Sequence, residues 1–179
     1  MRDPKGATIR VLGIDPGSQR TGFGVVDTTG TRLTYVASGV IRTTQGEFAA
    51  RLCEIFRCMQ SIVAQYRPDE IAIEKVFVNR NVDSALKLGQ ARGAAICGTV
   101  ESNADVFEYA TRQIKLAVVG SGGAEKAQVQ LMMRSILKLD GPVASDAADA
   151  LAAAVCHALR GRVRASLTQA AVKLAASRG

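Results

Sequence analysis

The chain has 179 residues, of which 47% are hydrophobic, and a formal net charge of +7. This size and apolar content suit a single domain with a substantial core, and the lack of an apolar run of about 18 residues excludes a membrane-spanning helix. The positive charge favours a polyanionic partner, nucleic acid before a membrane surface, although many ordinary proteins are mildly basic.

The N-terminus and the cysteines indicate the compartment. The first ten residues are polar and lack the apolar segment of a signal peptide. Four cysteines lie in apolar helical patterns without a Cys-x-x-Cys spacing, at Cys53, Cys58, Cys97 and Cys156. We interpret them as reduced core thiols of a cytoplasmic protein, rather than as a zinc site or disulfides.

The first predicted element is a β-hairpin with an acid at the end of its first strand. An apolar run at 11–14 leads into Asp15, a Pro-Gly-Ser turn follows at 16–18, and a second apolar run occupies 23–26. A third strand at 33–41 completes an antiparallel meander. An acid adds nothing to a hydrophobic strand, but beside a glycine turn it is well placed to hold a metal ion close to a phosphate.

Helices and strands alternate in the rest of the prediction. The helices are 47–66, 82–100, 111–118, 124–139 and 146–159, the last capped by Ser145, and the strands are 70–76 and 104–109. This order predicts an α/β three-layer domain with a mixed five-stranded sheet, in which the later strands run parallel. The single domain has its core at about 9–160 and a basic C-terminal tail at 161–179, which we expect to be an extension or partly disordered.

The second predicted helix has an apolar stripe that includes two glycines. The positions that recur at helical spacing are Val82, Ala85 or Leu86, Gly89, Gly93, Ile96 or Cys97, and Val100. Small residues four apart allow close backbone approach. We therefore expect this stripe to pack against the sheet or against a second subunit.

Acids stand in three places where packing does not require them. Asp15 ends the first strand, Glu74 ends the fourth, and Asp146 and Asp149 share one face of the first turn of the last helix. Each has an ordinary explanation: Asp15 can accept a hydrogen bond within its turn, and Glu74 can be a surface acid. The helix pair can favour the positive end of the helix dipole.

Together the four acids predict a metal site. If the first and fourth strands are parallel neighbours, their acids project at one sheet edge, and the last helix can add two carboxylates. Four carboxylates in one pocket repel one another unless divalent cations neutralise them. An all-oxygen set suits Mg²⁺, with two ions per site expected and Mn²⁺ as a substitute. Such ions can hold a phosphodiester for attack by an activated water; the only histidine, His157, is interpreted as structural.

Five motifs stand in order along the chain. They are Gly13-Ile-Asp-Pro-Gly-Ser18 with Thr21-Gly22, Ala72-Ile-Glu-Lys-Val-Phe77, Asp83-Ser-Ala-Leu-Lys-Leu-Gly-Gln-Ala-Arg-Gly93, Phe107-Glu-Tyr-Ala110 and Asp146-Ala-Ala-Asp-Ala-Leu151. Over about residues 9–160 they closely resemble the bacterial RuvC family of Holliday junction resolvases. The resemblance implies an RNase H-like fold and a homodimer that nicks four-way DNA junctions symmetrically with Mg²⁺. It also implies a branch-migration complex, the RuvA and RuvB proteins, as partner.

The resemblance also assigns residues by position. It implies that the catalytic, metal-binding acids are Asp15, Glu74, Asp146 and Asp149, although some members have a histidine at the third of these positions. It implies DNA-binding roles for Lys115, Lys126 and Phe77 and, less directly because members differ there, for Arg80. An aromatic ring at 77 could stack on an unpaired base, or pack under the neighbouring loop. The lysines could contact phosphates or be solvated surface charges.

Two other functions remain open at this stage. Actin-like and sugar-kinase ATPases also place an Asp-x-Gly-Ser/Thr phosphate loop after the first strand, as at 15–18. Such proteins generally need a second domain with another phosphate loop, for which this chain is too short. A junction-binding protein without catalysis is the other alternative, and the intact set of acids argues against it.

Overall fold

One five-stranded sheet with helices on both faces forms the described part of the chain. The computed structural model describes residues 7–44, 46–76 and 81–176, with side chains as far as residue 161. The strands are β1 (Thr8–Asp15), β2 (Arg20–Thr29), β3 (Arg32–Arg42), β4 (Glu70–Glu74) and β5 (Asp105–Tyr109). The helices are α1 (Phe48–Tyr66), α2 (Val82–Cys97), α3 (Thr111–Val119), α4 (Lys126–Leu137) and α5 (Ser145–Ala176), and a short 3-10 helix occupies Val100–Ser102. None of the helices in these ranges has the length and apolar character needed to cross a membrane.

The strand directions bring four strand ends to the same side of the sheet. The order is β3-β2-β1-β4-β5; β2 is antiparallel to both β1 and β3, whereas β4 is parallel to β1 and to β5. The predicted mixed sheet is therefore confirmed. At one edge, which we call the carboxyl edge, β1, β3, β4 and β5 end and β2 begins.

The sheet separates two hydrophobic layers. In β4, Ala72 packs into the layer formed with α3, α4 and α5, whereas Ile71 and Ile73 pack into the layer formed with α1 and α2. All three side chains are fully buried. This alternation places Glu70, Ala72 and Glu74 on the α5 face, as expected from the two-residue period of a strand.

Two glycines allow α5 to lie directly on the sheet. A Cβ atom at Gly13 would lie 1.9 Å from the carbonyl oxygen of Ala150, and one at Gly22 would lie 1.9 Å from that of Asp146. No other residue type fits under the helix at these positions. The facing surface of α5 is rich in buried alanines, which keeps the backbones close.

The last helix differs from the prediction at both ends. It begins at Ser145, which is part of the helix, and it continues to Ala176 instead of ending at Leu159. The predicted end of the helix at Leu159 was therefore too early, and the interpretation of the tail as a basic extension stays a prediction. The sequence after Gly161 lacks proline and is rich in alanine and leucine, so a single glycine, costing about 1 kcal/mol, does not end the helix.

Most of the predicted stripe of α2 does not face the sheet, although Ile96 at its end packs against the core. Val82 and Leu86 are 64% and 62% exposed, and a Cβ atom at Gly89 or Gly93 would meet nothing within 4 Å. The side packed against the core instead carries small residues, of which Ala91 and Ala95 are fully buried. Of the two alternatives for the face with Val82, Leu86 and the two glycines, the structure excludes packing against the sheet and leaves packing against a second subunit.

The cysteines are less buried than predicted. All four are free thiols, but Cys53 and Cys97 are exposed, Cys58 is half-buried and Cys156 is buried. Helical periodicity places Cys53 and Cys97 near apolar neighbours in the sequence, but these positions turn away from the core. The core assignment was thus wrong for the two exposed cysteines.

Candidate active site

The four predicted acids come from three elements that meet at the carboxyl edge. Asp15 is the last residue of β1 and Glu74 the last of β4, and β1 and β4 pair side by side. The N-terminus of α5 reaches the same edge, since Asp146 lies against Gly22, the residue paired with Asp15. The sequence-predicted acids are therefore brought together.

Electrostatics show how closely the acids influence one another. Burial is the largest cause that raises the pKa of Asp15, and the other three carboxylates raise it further, to about 8, in the order Glu74, Asp149 and Asp146. The positive charge of Lys126 opposes this rise. A group with this pKa holds a proton near neutral pH unless a cation replaces it.

Two further acids are shifted in the same direction. Burial raises the pKa of Glu74 and of Asp149, and the Asp149 charge adds to the rise at Glu74. Lys126 and Lys115 lower both pKa values in part. The two lysines predicted to bind DNA thus lie close enough to affect the acids, whereas their contact with DNA stays a prediction.

Cationic side chains flank the acids on both sides. Lys126 Nζ lies 3.6 Å from Asp149 Oδ2, and its side chain is 72% exposed. On the other side, Arg20 Nε lies 3.2 Å from Asp146 Oδ2. Sequence reasoning missed Arg20, although its position just after the turn that follows Asp15 was a signal that it lies at this edge.

A threonine holds one of the carboxylates. The Thr111 hydroxyl donates a short hydrogen bond to Glu74 Oε1 and lowers the pKa of that carboxyl in part. Thr111 begins α3 directly after β5, and the Lys75 N–H donates to the Tyr109 carbonyl at 2.8 Å, which ties the ends of β4 and β5 together. Sequence reasoning did not single out Thr111, because a helix-start threonine is common.

The donor set fits a hard divalent cation. Four carboxylates, one of them with a strongly raised pKa, provide only oxygen ligands and excess negative charge, as Mg²⁺ prefers. In the described residues, however, no group of three or more His, Cys, Asp or Glu side chains is close enough to hold a metal ion as it stands. Ions at this site would compete with Arg20 and Lys126 for carboxylates that these side chains now pair with.

Two of the predicted DNA-binding residues, Phe77 and Arg80, lie outside the described residues.

The single histidine, His157, is among the described residues. His157 is 2% exposed, with Nδ1 2.6 Å from Tyr109 Oη and Nε2 2.7 Å from Glu70 Oε2. These contacts within the core support its interpretation as a structural residue.

Known proteins resemble this chain over most of its length. The family model described as crossover junction endodeoxyribonuclease RuvC matches residues 11–157. A RuvC of Burkholderia lata is 54% identical over 167 residues, covering 93% of both chains, and one of Pseudoalteromonas translucida is 56% identical over 148 residues, covering 83% of this chain and 85% of that one. The solved structure of T. thermophilus RuvC in complex with Holliday junction substrate has 35% identity and a TM-score of 0.80, covering 87% of this chain and 96% of that one.

Proposed function

The chain belongs to the RuvC family of crossover junction endodeoxyribonucleases, and on this premise we propose that it resolves four-way (Holliday) DNA junctions in recombination and repair by paired symmetric nicks. Its membership makes it a nuclease with an RNase H-like fold. The observation that carries the proposal is the meeting of four carboxylates at one sheet edge, where burial, and after it the charges of the other three acids, raise the pKa of Asp15 to about 8.

The acids are proposed to bind Mg²⁺, with Mn²⁺ able to replace it. The ligands would be Asp15, Glu74, Asp146 and Asp149, and two bound ions would supply Lewis-acid stabilisation of the charge that develops on the phosphate. Asp15 and Glu74 sit on strand ends, which fixes their positions. The Thr111 hydrogen bond restricts the rotation of the Glu74 carboxylate.

Basic residues next to the acids are proposed to hold the DNA. Lys126 is mostly exposed and begins α4, so its ammonium group can move from Asp149 to a phosphate. Lys115 on α3 adds positive charge beside the same carboxylates. Phe77 and Arg80 stay proposed contacts near the junction centre, RuvA and RuvB stay proposed partners, and the cytoplasmic location stays a prediction.

The exposed stripe of α2 is the proposed homodimer interface. Val82, Leu86, Gly89 and Gly93 lie on one helix face, and the leucine and valine are more than half exposed. Two-fold symmetry would give two equivalent sites for the two strands that a junction presents for cutting. Such apolar side chains on the surface of a basic protein are explained if a second copy covers them.

A charge placed in this stripe tests the dimer. Leu86→Asp should shift the protein from dimer to monomer in analytical ultracentrifugation, because the carboxylate would be buried in an apolar interface. Leu131→Asp is a matched control, since Leu131 on α4 is 63% exposed and Leu86 is 62% exposed. If both variants sediment like the wild type, the α2 stripe is not the interface.

The two alternative functions are not favoured. The chain spans 93% of a RuvC relative, which leaves no room for the second phosphate-loop domain of an actin-like ATPase within the matched length. Family membership likewise makes the chain a nuclease, and a non-catalytic junction-binding role has no specific observation behind it.

The experiment that tests the proposal compares substrates. We expect the purified protein to make paired nicks in a synthetic four-way junction with Mg²⁺ and to leave a linear duplex of the same sequence intact. Binding should weaken strongly as salt increases, because lysines and arginines release counterions from phosphates. Hydrolysis of ATP without DNA, or equal cutting of both DNAs, would contradict the proposal.

The role of the acids is tested separately. Asp15→Asn should keep junction affinity and stop cleavage, because it removes a metal ligand without changing the size of the side chain. Binding is measured by fluorescence anisotropy and cleavage by denaturing gel. Cleavage at the wild-type rate by this variant would show that Asp15 does not bind the metal.

A further inference from the structure

A basic cavity adjoins the carboxylate site on its β2–β3 side. Its volume is about 520 Å³, and it is lined by Gln19, Arg20, Arg42, Thr43, Thr44, Gly46 and Arg51. Three of these described lining residues are arginines and none is acidic. Arg20 joins the cavity to the active site, because its guanidinium also pairs with Asp146.

Two of the arginines lie directly opposite each other on neighbouring strands, an arrangement that does not stabilise the sheet. Arg20 and Arg42 are directly paired across β2 and β3, so their side chains leave the same face of the sheet. Like charges directly opposite each other in an antiparallel pair destabilise it. Contact with anions would offset this cost: Arg20 already pairs with Asp146, and an anionic ligand in the cavity would do the same for Arg42.

The third arginine, Arg51, has a buried N–H group without a hydrogen-bond partner. Arg51 Nε is buried and has no hydrogen-bond partner among the described residues. Its guanidinium lies 5.2 Å from the centre of the Phe48 ring, which holds it in place on α1. Unpaired buried donors cost free energy, and because Arg51 lines the cavity, a small movement of its guanidinium would bring this N–H to a ligand oxygen there.

Hydroxyl groups complete the lining, and the nearby acid is already engaged. Thr43 Oγ1 donates to the carbonyl groups of Ser18 and Gln19 at 3.3 Å, which fixes the end of β3 beside the start of β2. Glu54 on α1 accepts hydrogen bonds from the N–H and the hydroxyl of Thr44, at 2.9 and 3.1 Å. Arg42 and Arg51 therefore keep their charge available to a ligand.

The sheet order sets the distance between this cavity and the acids. Arg42 ends β3, two strands from β1, and Asp15 ends β1 at the same edge. Two strand spacings amount to about 10 Å, and successive nucleotides rise by about 3.4 Å along a strand. A DNA strand whose scissile phosphate lies at the acids would therefore bring a phosphate a few nucleotides away to the cavity.

We propose that this cavity binds a backbone phosphate of the cleaved DNA strand, a few nucleotides from the scissile phosphate, through Arg42 and Arg51, with Arg20 between cavity and acids. Guanidinium groups suit this ligand because their paired N–H donors match phosphate oxygens. The inference rests on the proposed function and adds a second contact point on the strand, opposite to the Lys115 and Lys126 side. Two contact points would fix the direction in which the strand crosses the metal site.

The first test measures the salt dependence of junction binding. Arg42→Gln and Arg51→Gln in the full chain should weaken binding and lower the slope of log affinity against log salt by about 0.7–0.9 for each phosphate that the variant no longer neutralises. Arg32→Gln is the matched control, because Arg32 begins β3 at the opposite edge and is exposed. Arg42→Lys should recover part of the slope. Slopes for Arg42→Gln and Arg51→Gln equal to that of Arg32→Gln would overturn the proposal.

The second test locates the phosphate. Single uncharged methylphosphonate linkages are placed at successive positions of the cleaved strand, and affinity is measured for the wild type and for Arg42→Gln. We expect one position, a few nucleotides from the cut, where the linkage weakens wild-type binding several-fold and has no further effect on the variant. Additive effects of variant and linkage at every position would overturn the proposal.

The experiments distinguish failure of the proposed junction-resolving function from failure of the cavity proposal. If the wild type neither binds nor cuts four-way junctions, the proposed function is wrong, and the cavity then has no DNA ligand either. If the wild type cuts junctions normally but Arg42→Gln behaves like Arg32→Gln in both tests, the cavity proposal alone is wrong.

Discussion

Glu70 and Glu74 begin and end the same five-residue strand and both face α5, but their surroundings are opposite in character. Glu70 contacts His157 Nε2 at 2.7 Å. The two ring nitrogens of His157 therefore join Glu70 to the Tyr109 hydroxyl by hydrogen bonds. Glu74, in contrast, lies among carboxylates, and burial together with the Asp149 charge raises its pKa.

The direction of α5 explains why Glu70 and Glu74, on the same strand, have such different neighbours. Four strand residues rise by about 13 Å, and the eight helix residues from Asp149 to His157 rise by about 12 Å. Because α5 runs opposite to β4, it gives Glu74 an aspartate as neighbour and Glu70 an imidazole. An acid with a favourable buried partner stabilises the fold, whereas an acid kept beside other acids lowers stability and indicates a function.

The largest expected effect is the pH dependence of stability, which should come from the acids around Glu74 and not from Glu70. Asp15, which ends the neighbouring strand β1, should contribute most. The folded pKa of Asp15 is about 8, above its ordinary value of 3.8, so the folded state binds more protons than the unfolded state between these values. The contribution of Asp15 is fully present below about pH 4 and is lost as pH rises through about 8. We expect metal-free protein to lose on the order of a few kcal/mol of unfolding free energy between pH 5 and pH 8, measured by urea denaturation.

Asp15→Asn should flatten this pH profile, because the amide does not ionise. Asp83→Asn serves as control, since Asp83 is 70% exposed and pairs with Lys87 on the surface of α2. Added Mg²⁺ should restore stability to the wild type at pH 8 and have less effect on Asp15→Asn. Equal pH slopes for the wild type and Asp15→Asn would show that the acids do not strain the fold.

Substitution of Glu70, at the start of β4, should change the stability of the protein but not its cleavage activity. Glu70→Ala removes the hydrogen-bond partner of a buried histidine nitrogen, which should cost about 1–3 kcal/mol of unfolding free energy and leave junction cleavage unchanged at a temperature where the variant is folded. Glu101→Ala, at an exposed glutamate, should have little effect on either property. A loss of cleavage in folded Glu70→Ala protein would remove the distinction between the two glutamates.

The smallest expected effect concerns the orientation of Glu74. Thr111→Val keeps the shape of the side chain and removes the hydroxyl that donates to the carboxylate. Loss of such a supporting hydrogen bond should weaken Mn²⁺ binding by about 10-fold, measured by calorimetry, and raise the Mg²⁺ concentration needed for half-maximal cleavage. Thr111→Ser should behave like the wild type. Unchanged Mn²⁺ affinity in Thr111→Val would show that Glu74 needs no such support.

The sheet, and the meeting of the four acids at one of its edges, could be predicted because their signals are local. Apolar alternation marks the strands, and an acid at a strand end or in a first helix turn stands out against it. The ion pair of Arg20 with Asp146 and the hydrogen bond from Thr111 to Glu74 join residues far apart in the sequence. No local pattern specifies such pairs.

The errors have a related cause. The stripe through Val82 and Leu86 has the period of a buried helix face, but periodicity does not tell a core from a surface that a second protein covers. The exposed Cys53 and Cys97 were misjudged in the same way. Gly13 and Gly22 were named from the sequence only as members of the first motif, whereas the structure shows that they let α5 lie on the sheet.

The most direct test of the metal-site account is single-turnover cleavage of a pre-bound four-way junction with Mg²⁺ by two isosteric variants, Glu70→Gln and Glu74→Gln. Loss of one charged ligand at the reacting phosphate should slow Glu74→Gln by at least about 100-fold at unchanged junction affinity, while Glu70→Gln cleaves at the wild-type rate. Cleavage by Glu74→Gln at the wild-type rate, or an equal loss in both variants, would contradict the account.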